Sequence, residues 1–227
     1  MRPLTRQIAL ALLIFGSLVP IASATEDDLG GWAALVASGR IGQDTSRWRY
    51  HVDAQARYFD IGTGINQWLV RPGIGYDLGN NVSVWLGYSR FRSRGRGGAV
   101  VDEDRPWQDL RYSPTFSNGH RLGIRLRFEQ RMVDVSDDTR QVVRLRVRYT
   151  IPVGEASRIF FGLEPFYDLN TTDWGGGTGR SQDRWFVGMG WPLGRRISIE
   201  AGYMQQLFKL DGREDLLNHL GVVTLRF

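Results

Sequence analysis

Residues Arg47 to Tyr58 read Arg-Trp-Arg-Tyr-His-Val-Asp-Ala-Gln-Ala-Arg-Tyr, an unbroken alternation of polar and apolar side chains. Trp48, Tyr50, Val52, Ala54, Ala56 and Tyr58 fall on one parity; Arg47, Arg49, His51, Asp53, Gln55 and Arg57 fall on the other. A strand sends successive side chains to opposite faces, so this segment has one apolar and one charged face. A soluble sheet can carry the same pattern with its apolar face on a core. Here the pattern recurs along nearly the whole chain and follows an export signal. The two together predict a transmembrane antiparallel up-and-down β-barrel, with lipid outside and a polar interior.

The signal is local. Arg2 and Arg6 precede an apolar run from Ile8 to Ile21, and Ala22-Ser23-Ala24 fits a small-x-small cleavage site. Cleavage after Ala24 divides the chain into a signal peptide, residues 1–24, and one barrel domain, residues 25–227. The apolar run is short and is interrupted by Gly16 and Pro20, which argues against a retained spanning helix. The chain has no cysteine. Disulfides, a lipid-modified cysteine and thiolate metal sites are therefore excluded. The full chain carries a net charge of +5, and losing Arg2 and Arg6 leaves about +3. The excess is almost all arginine, since Lys209 is the sole lysine. Those arginines alternate with apolar residues on strands instead of clustering on a recognition helix, which speaks against nucleic-acid binding.

Further dyad segments follow, punctuated by turn signals. Trp68, Val70, Ile74 and Tyr76 oppose Gln67, Arg71 and Asp77, and Asn80-Asn81 reads as a tight turn before Val82 to Tyr88. Residues 90–104, rich in Gly and Arg, read as a long loop before a strand from Arg105 to Pro114. In His120 to Val133, Leu122, Ile124, Leu126, Phe128 and Met132 oppose Arg121, Arg125, Arg127, Glu129 and Arg131. In Gln141 to Ile151, Val143, Leu145 and Val147 oppose Arg144, Arg146 and Arg148. Strands at 158–169, 184–193, 196–207 and 216–227 follow, the last ending in an aromatic, Phe227, as bacterial outer-membrane barrels commonly do. Single-chain bacterial barrels have even strand numbers. Ten strands alternate consistently from Arg47 onward. The additional segment Gly31 to Ile41 then implies a twelfth partner or a place inside or beside the barrel. The fold expected is thus a barrel of 10–12 strands, with twelve favoured. Connections near 79, 117, 154 and 194 should be periplasmic turns; 60–64, 91–104, 134–140, 170–182 and 208–215 should face outward.

Several short motifs occur in a familiar order. They are Arg71-Pro72-Gly73-Ile74-Gly75-Tyr76, Trp85-Leu86-Gly87-Tyr88, Glu103-x-Arg105-x-Trp107-Gln108, Arg125-x-Arg127-Phe128-Glu129-Gln130-Arg131, Glu164-Pro165-Phe166, Gly202-Tyr203-Met204-Gln205-Gln206 and Asn218-His219. The series resembles the bacterial "domain of unknown function 2490" family over nearly the whole mature chain. One departure is Asp183-Arg184, where a Gln-Asn-Arg-like run is expected. The resemblance implies an outer-membrane barrel and carries over no catalytic residue.

With the apolar face toward lipid, the interior is expected to be lined by Arg71, Arg125, Arg127, Glu129, Arg131, Arg144, Arg146, Arg148, Glu164, Arg184 and Glu200. Reversing the faces would cost about 2–4 kcal/mol for each arginine near the midplane. Arginine binds carboxylates bidentately and is always charged. The interior is therefore either an arginine-lined passive channel for an anionic small solute or a structural barrel sealed by ion pairs. A lipid-modifying enzyme is the rival from another class. Its best candidate pair is His219 with Asn218, but Gly-x-Ser-x-Gly, His-x-His and His-Glu-x-x-His patterns are absent from the sequence. No catalytic, cofactor or metal residue is assigned. The expected location is the bacterial outer membrane. The expected partners are outer-membrane lipids, lipopolysaccharide near Arg90 to Arg96, and the barrel-assembly machinery.

Overall fold

A computed structural model describes residues 26–59, 65–95, 97–154, 156–210, 212 and 214–227. The expected signal segment, residues 1–24, lies outside the described residues. Among the described residues the chain is all-β, with eleven strands: β1 Glu26–Arg40, β2 Trp48–Phe59, β3 Ile65–Gly79, β4 Val82–Arg94, β5 Val100–Tyr112, β6 Arg121–Val133, β7 Thr139–Val153, β8 Ser157–Asp168, β9 Gly179–Pro192, β10 Ser198–Phe208 and β11 Leu216–Arg226. Each pairs antiparallel with the next in sequence, and β1 closes the barrel on β11 in parallel. The range of ten to twelve strands holds, but the expected even number does not. The segment that stood apart, Gly31 to Ile41, is most of β1. It pairs with β2 up to Arg40 and with β11 up to Val36. An odd count makes the first and last strands run in the same direction. The evenly spaced, slanted bonds of a parallel ladder satisfy that seam.

One rim carries connections 41–47, 80–81, 113–120, 154–156 and 193–197, and is called the turn rim below. The other, the loop rim, carries 60–64, 95–99, 134–138, 169–178 and 209–215. Asn80 and Asn81 have φ of 51° and 65°, the two left-handed residues that a two-residue primed hairpin requires. The long loop expected over 90–104 is instead five residues, 95–99, with β4 and β5 extended on either side. Arg90 and Arg92 alternate with buried Phe91 and meet Asp104 and Asp102 on β5 at 2.8 and 2.5 Å. The charges that resembled a loop are an outward-facing cross-strand ladder. The Gly signals mark only its tip.

Hydrogen-bonded partners followed around the barrel run Arg40, Arg49, Gly75, Trp85, Asp109, Arg127, Arg144, Phe166, Gln182, Phe208, Leu216 and Glu26. The path returns to β1 fourteen residues from its start, from Arg40 to Glu26. That stagger tilts the strands and sets the barrel's width. The faces fall as the alternation requires. Trp48, Val52, Ile74, Leu86, Leu110, Leu126 and Val187 are exposed outside, while Asp53, Arg57, Arg71, Arg127, Glu129 and Arg144 are buried inside.

The interior is not purely polar. Trp32, Phe59, Leu69, Trp85, Phe91, Trp107, Phe160, Phe166 and Phe186 also face inward and are buried. Glycines on neighbouring strands make room for them. A Cβ on Gly73 or Gly87 would lie 2.5 or 2.1 Å from the Trp107 ring, so this tryptophan lies flat across two glycine strands.

Candidate functional site

The inward faces of β5, β6 and β7 place arginines directly opposite one another. Arg111 pairs in register with Arg125, and Arg125 with Arg146; Arg127 faces Arg144, and Arg131 faces Arg140. Like charges opposite each other destabilise a sheet, so such a run persists only with compensation. Three buried carboxylates supply most of it. Asp109 accepts from Arg127 Nε at 2.5 Å and from Arg111 Nη2 at 2.7 Å. Glu129 accepts from Arg144 Nη1 at 2.6 Å and from Arg131 Nη2 at 2.7 Å. Glu164 accepts from Arg125 Nη2 at 2.5 Å and from Arg144 Nη2 at 2.6 Å. Nearer the turn rim, Glu200 binds Arg148 at 2.8 Å and Arg226 at 3.1 Å.

The inward aromatic rings supply the rest. Arg127 lies 4.1 Å over Trp107, Arg144 4.2 Å over Phe166, Arg148 3.9 Å over Phe160 and Arg57 3.7 Å over Trp32. A guanidinium stacked on a ring face is attracted by the ring quadrupole, more strongly where water is excluded. The Arg127–Trp107 and Arg144–Phe166 stacks, with the ion pairs around them, pack the half of the barrel nearest the loop rim. There Arg127 and Glu129 are each 1 % exposed, Phe166 2 % and Val142 0 %.

The other half is hollow. A cavity of 420 Å³ is lined by Val36, His51, Ser113, Gly123, Arg148 and Arg226 toward the turn rim, and ends inward on Trp32, Arg57 and Arg184. Nine arginines line it, against two carboxylates, Asp53 and Glu164. Among the described residues Arg146 meets no carboxylate; its contact is the Phe186 ring at 4.8 Å. The Nε atoms of Arg71, Arg125, Arg146 and Arg226 are buried without an acceptor.

Of the residues singled out from sequence, Arg71, Arg125, Arg144, Arg146, Arg148, Glu164 and Arg184 line this one cavity. Arg127, Glu129 and Arg131 sit in the packed ion-pair layer beyond it, and Glu200 lies beside the cavity as partner to Arg148 and Arg226. Two lining arginines, Arg111 and Arg226, were not anticipated, although parity with Asp109 and Thr224 marks both as inward. The apolar part of the lining, Ala34, Val36, Phe186, Met204 and Val222, was not anticipated either.

The histidines are dispersed. His51 lines the cavity with its ring edge-on to Trp85; His120 Nδ1 lies 2.9 Å from the Tyr149 hydroxyl. His219 hydrogen-bonds Tyr203, while its neighbour Asn218 points inward and is buried, so the two do not converge. Among the described residues no group of three or more His, Asp or Glu is placed to hold a metal ion.

Fold and interior together define an all-β closed barrel packed at one end and carrying an arginine-rich cup at the other. The chain belongs to the family described as Protein of unknown function (DUF2490), whose model matches residues 29–217. It is also similar to an uncharacterised protein of Methylorubrum extorquens, 29 % identical over 178 residues, covering 75 % of this chain and 76 % of the relative. No solved structure matches the chain.

Proposed function

We propose that this protein is an integral outer-membrane barrel whose cup captures an anionic solute. Three features support the membrane placement. The strands are 11 to 15 residues long, enough to cross a bilayer when tilted. The outward face is mostly apolar, with exposed Trp48, Tyr112 and Trp191 near the turn rim and Tyr58, Trp68 and Tyr167 toward the loop rim. Two such rings are the aromatic girdles of barrels at the two lipid–water interfaces. The outward Arg90–Asp104 and Arg92–Asp102 ladder then stands above the hydrocarbon, where its charges stay hydrated. The leader-like segment 1–24 supports export, with insertion by the barrel-assembly machinery. The shortest connections, 80–81 and 154–156, lie at the cup's mouth and the longest, 169–178, at the packed end. Periplasmic turns are the short ones, so the mouth faces the periplasm.

The observation that carries the anion reading is the charge of the lining: nine arginines to two carboxylates, with Arg146 unpaired. A closed structural barrel has no need of a half-buried cation that no carboxylate contacts. The packed Arg–aromatic half argues against a freely conducting pore, so the anion enters a cul-de-sac.

The test has two arms. Cell fractionation should recover the protein with the outer membrane. In the purified, lipid-embedded barrel, iodide should quench Trp32 fluorescence saturably, an effect lost in Trp32→Phe and weakened at least fivefold in Arg146→Gln. Recovery in the soluble fraction overturns the membrane placement. Linear quenching indifferent to Arg146→Gln overturns the anion cup.

A further inference from the structure

The cup has two unlike walls. Arg71, Arg111, Arg125, Arg146 and Arg148 form one, on β3 and β5–β7. Ala34, Val36, Met204 and Val222 form the other, on β1, β10 and β11, flanked by Trp32 and Phe186 and bounded by Arg226 at the mouth and by Arg57 and Arg184 at the floor. In the order of strands around the barrel, the β1–β11 seam lies opposite β6, which β5 and β7 flank. The cationic and apolar walls therefore face each other across the cavity. The apolar wall is the open edge of a cluster formed by Trp32, Ala34, Phe59 and Leu220, against which Met204 and Val222 pack.

We propose that the cup's ligand is an amphipathic anion: a carboxylate or phosphate head joined to an aliphatic body. The proposal rests on the anion-binding reading above and narrows its substrate class. A small inorganic or polyvalent anion could satisfy the guanidinium groups, but it would leave the facing apolar wall in water. Covering that wall is favourable in proportion to the apolar area buried. An aliphatic chain lying along Val36, Met204 and Val222 does this while its head meets Arg146 and the orphaned Nε of Arg125. The head is placed at Arg146 because, among the described residues, the other arginines of that wall already hold carboxylates: Arg71 on Asp53, Arg111 on Asp109, Arg125 on Glu164 and Arg148 on Glu200. The volume, 420 Å³, lies in the range of small-molecule pockets, about 300–1,000 Å³, and admits one such molecule per barrel.

Native mass spectrometry of the full barrel released from amphipol can count bound ligand directly. The probes are dodecanoate, dodecyl phosphate, dodecanol and succinate. The expected result is a one-to-one adduct with dodecanoate and dodecyl phosphate and at least tenfold weaker binding of dodecanol and succinate. Arg146→Gln should weaken dodecanoate at least tenfold. Met204→Gln, close to isosteric and able to keep the fold, should weaken dodecanoate while leaving succinate unchanged. If dodecanoate binds preferentially and dodecyl phosphate does not, the head is a carboxylate; the reverse assigns a phosphate. Succinate binding as tightly as dodecanoate overturns the amphipathic ligand and leaves the anion cup standing. Dodecanol binding as tightly, unaffected by Arg146→Gln, overturns both. Adducts of several dodecanoates per barrel that ignore both substitutions mark adsorption to the outer surface and overturn the cup as the site.

Discussion

Replacing Arg146 by Met should stabilise the barrel, although it removes a half-buried charged group stacked on Phe186. Arg146 stands in register with Arg125, and among the described residues it meets no carboxylate. Like charges directly opposite on adjacent strands cost roughly 0.2–1 kcal/mol. Its Nε is buried without an acceptor, and an unsatisfied buried donor costs about 1–3 kcal/mol. Against these stands the Phe186 contact, at 4.8 Å from the ring centroid, worth about 0.5–1 kcal/mol. Methionine keeps the aliphatic stem and places a thioether against the same ring. The cavity is open to water at the turn rim, which screens the repulsion, so the expected gain is about 1–2 kcal/mol. The assay is reversible urea unfolding of the purified barrel, followed by tryptophan emission. A loss of stability beyond about 1 kcal/mol would refute the view of Arg146 as an uncompensated cation. If both outcomes hold, gained stability and lost ligand, the arginine is kept at a cost to the fold, as functional groups often are.

Glu164→Gln should act in the opposite direction. It strips Arg125 of its one carboxylate and Arg144 of one of two, and breaking a buried pair costs about 3–5 kcal/mol, read by the same unfolding assay. Asp102→Asn, on the outward ladder where its partner Arg92 is 46 % exposed, should lower stability far less than Glu164→Gln does, and less again at high salt, in the same assay. Gly87→Ala would set a methyl 2.1 Å from the Trp107 ring and 2.5 Å from the Pro72 carbonyl oxygen, an overpacking worth about 1–3 kcal/mol; Trp107→Leu in the same chain relieves only the first clash and should recover part of it. Asn80→Val, at φ 51°, should cost about 1–2 kcal/mol and slow hairpin formation in stopped-flow folding, whereas Asn80→Gly should not.

The two faces were legible from parity alone, because a period-two pattern in eleven segments leaves no second way to arrange apolar and charged sides. Strand number was not. Counting depends on a rule for closing a barrel, and a parallel seam breaks that rule without leaving any mark in the composition of β1. The extent of β4 and β5 was hidden because Arg90, Arg92, Asp102 and Asp104 read as loop charges until their partners across the strands are known. Most of the cationic lining of the cup could be named, Arg111 and Arg226 excepted, since arginines on an inward parity have nowhere else to go. Its apolar half could not. Trp32, Phe160 and Phe186 are on the parity that the pattern labels polar, and what permits the two phenylalanines is the glycine facing each on another strand, as Gly162 faces Phe186 and Gly188 faces Phe160. Such pairings follow from register, which a single sequence does not disclose. The hollow itself is a property of side-chain reach, visible only once the layers are stacked.

The parallel seam has a consequence for how the barrel comes together. Every antiparallel ladder joins neighbours in sequence and can grow from a hairpin. The β1–β11 ladder joins residues such as Trp32 and Val222, 190 positions apart, and no turn templates it. Contacts of such separation form slowly, since chain entropy is lost before they repay it. The seam is therefore the last ladder to zip and the first to part. What holds the zipper shut is a side-chain clasp as well as backbone bonds: Trp32 and Ala34 on β1, Phe59 on β2 and Leu220 on β11 form one buried knot across it. Shaving Trp32 should leave a sheet that forms at its usual rate yet fails to stay cylindrical, an open ribbon with two unmatched borders.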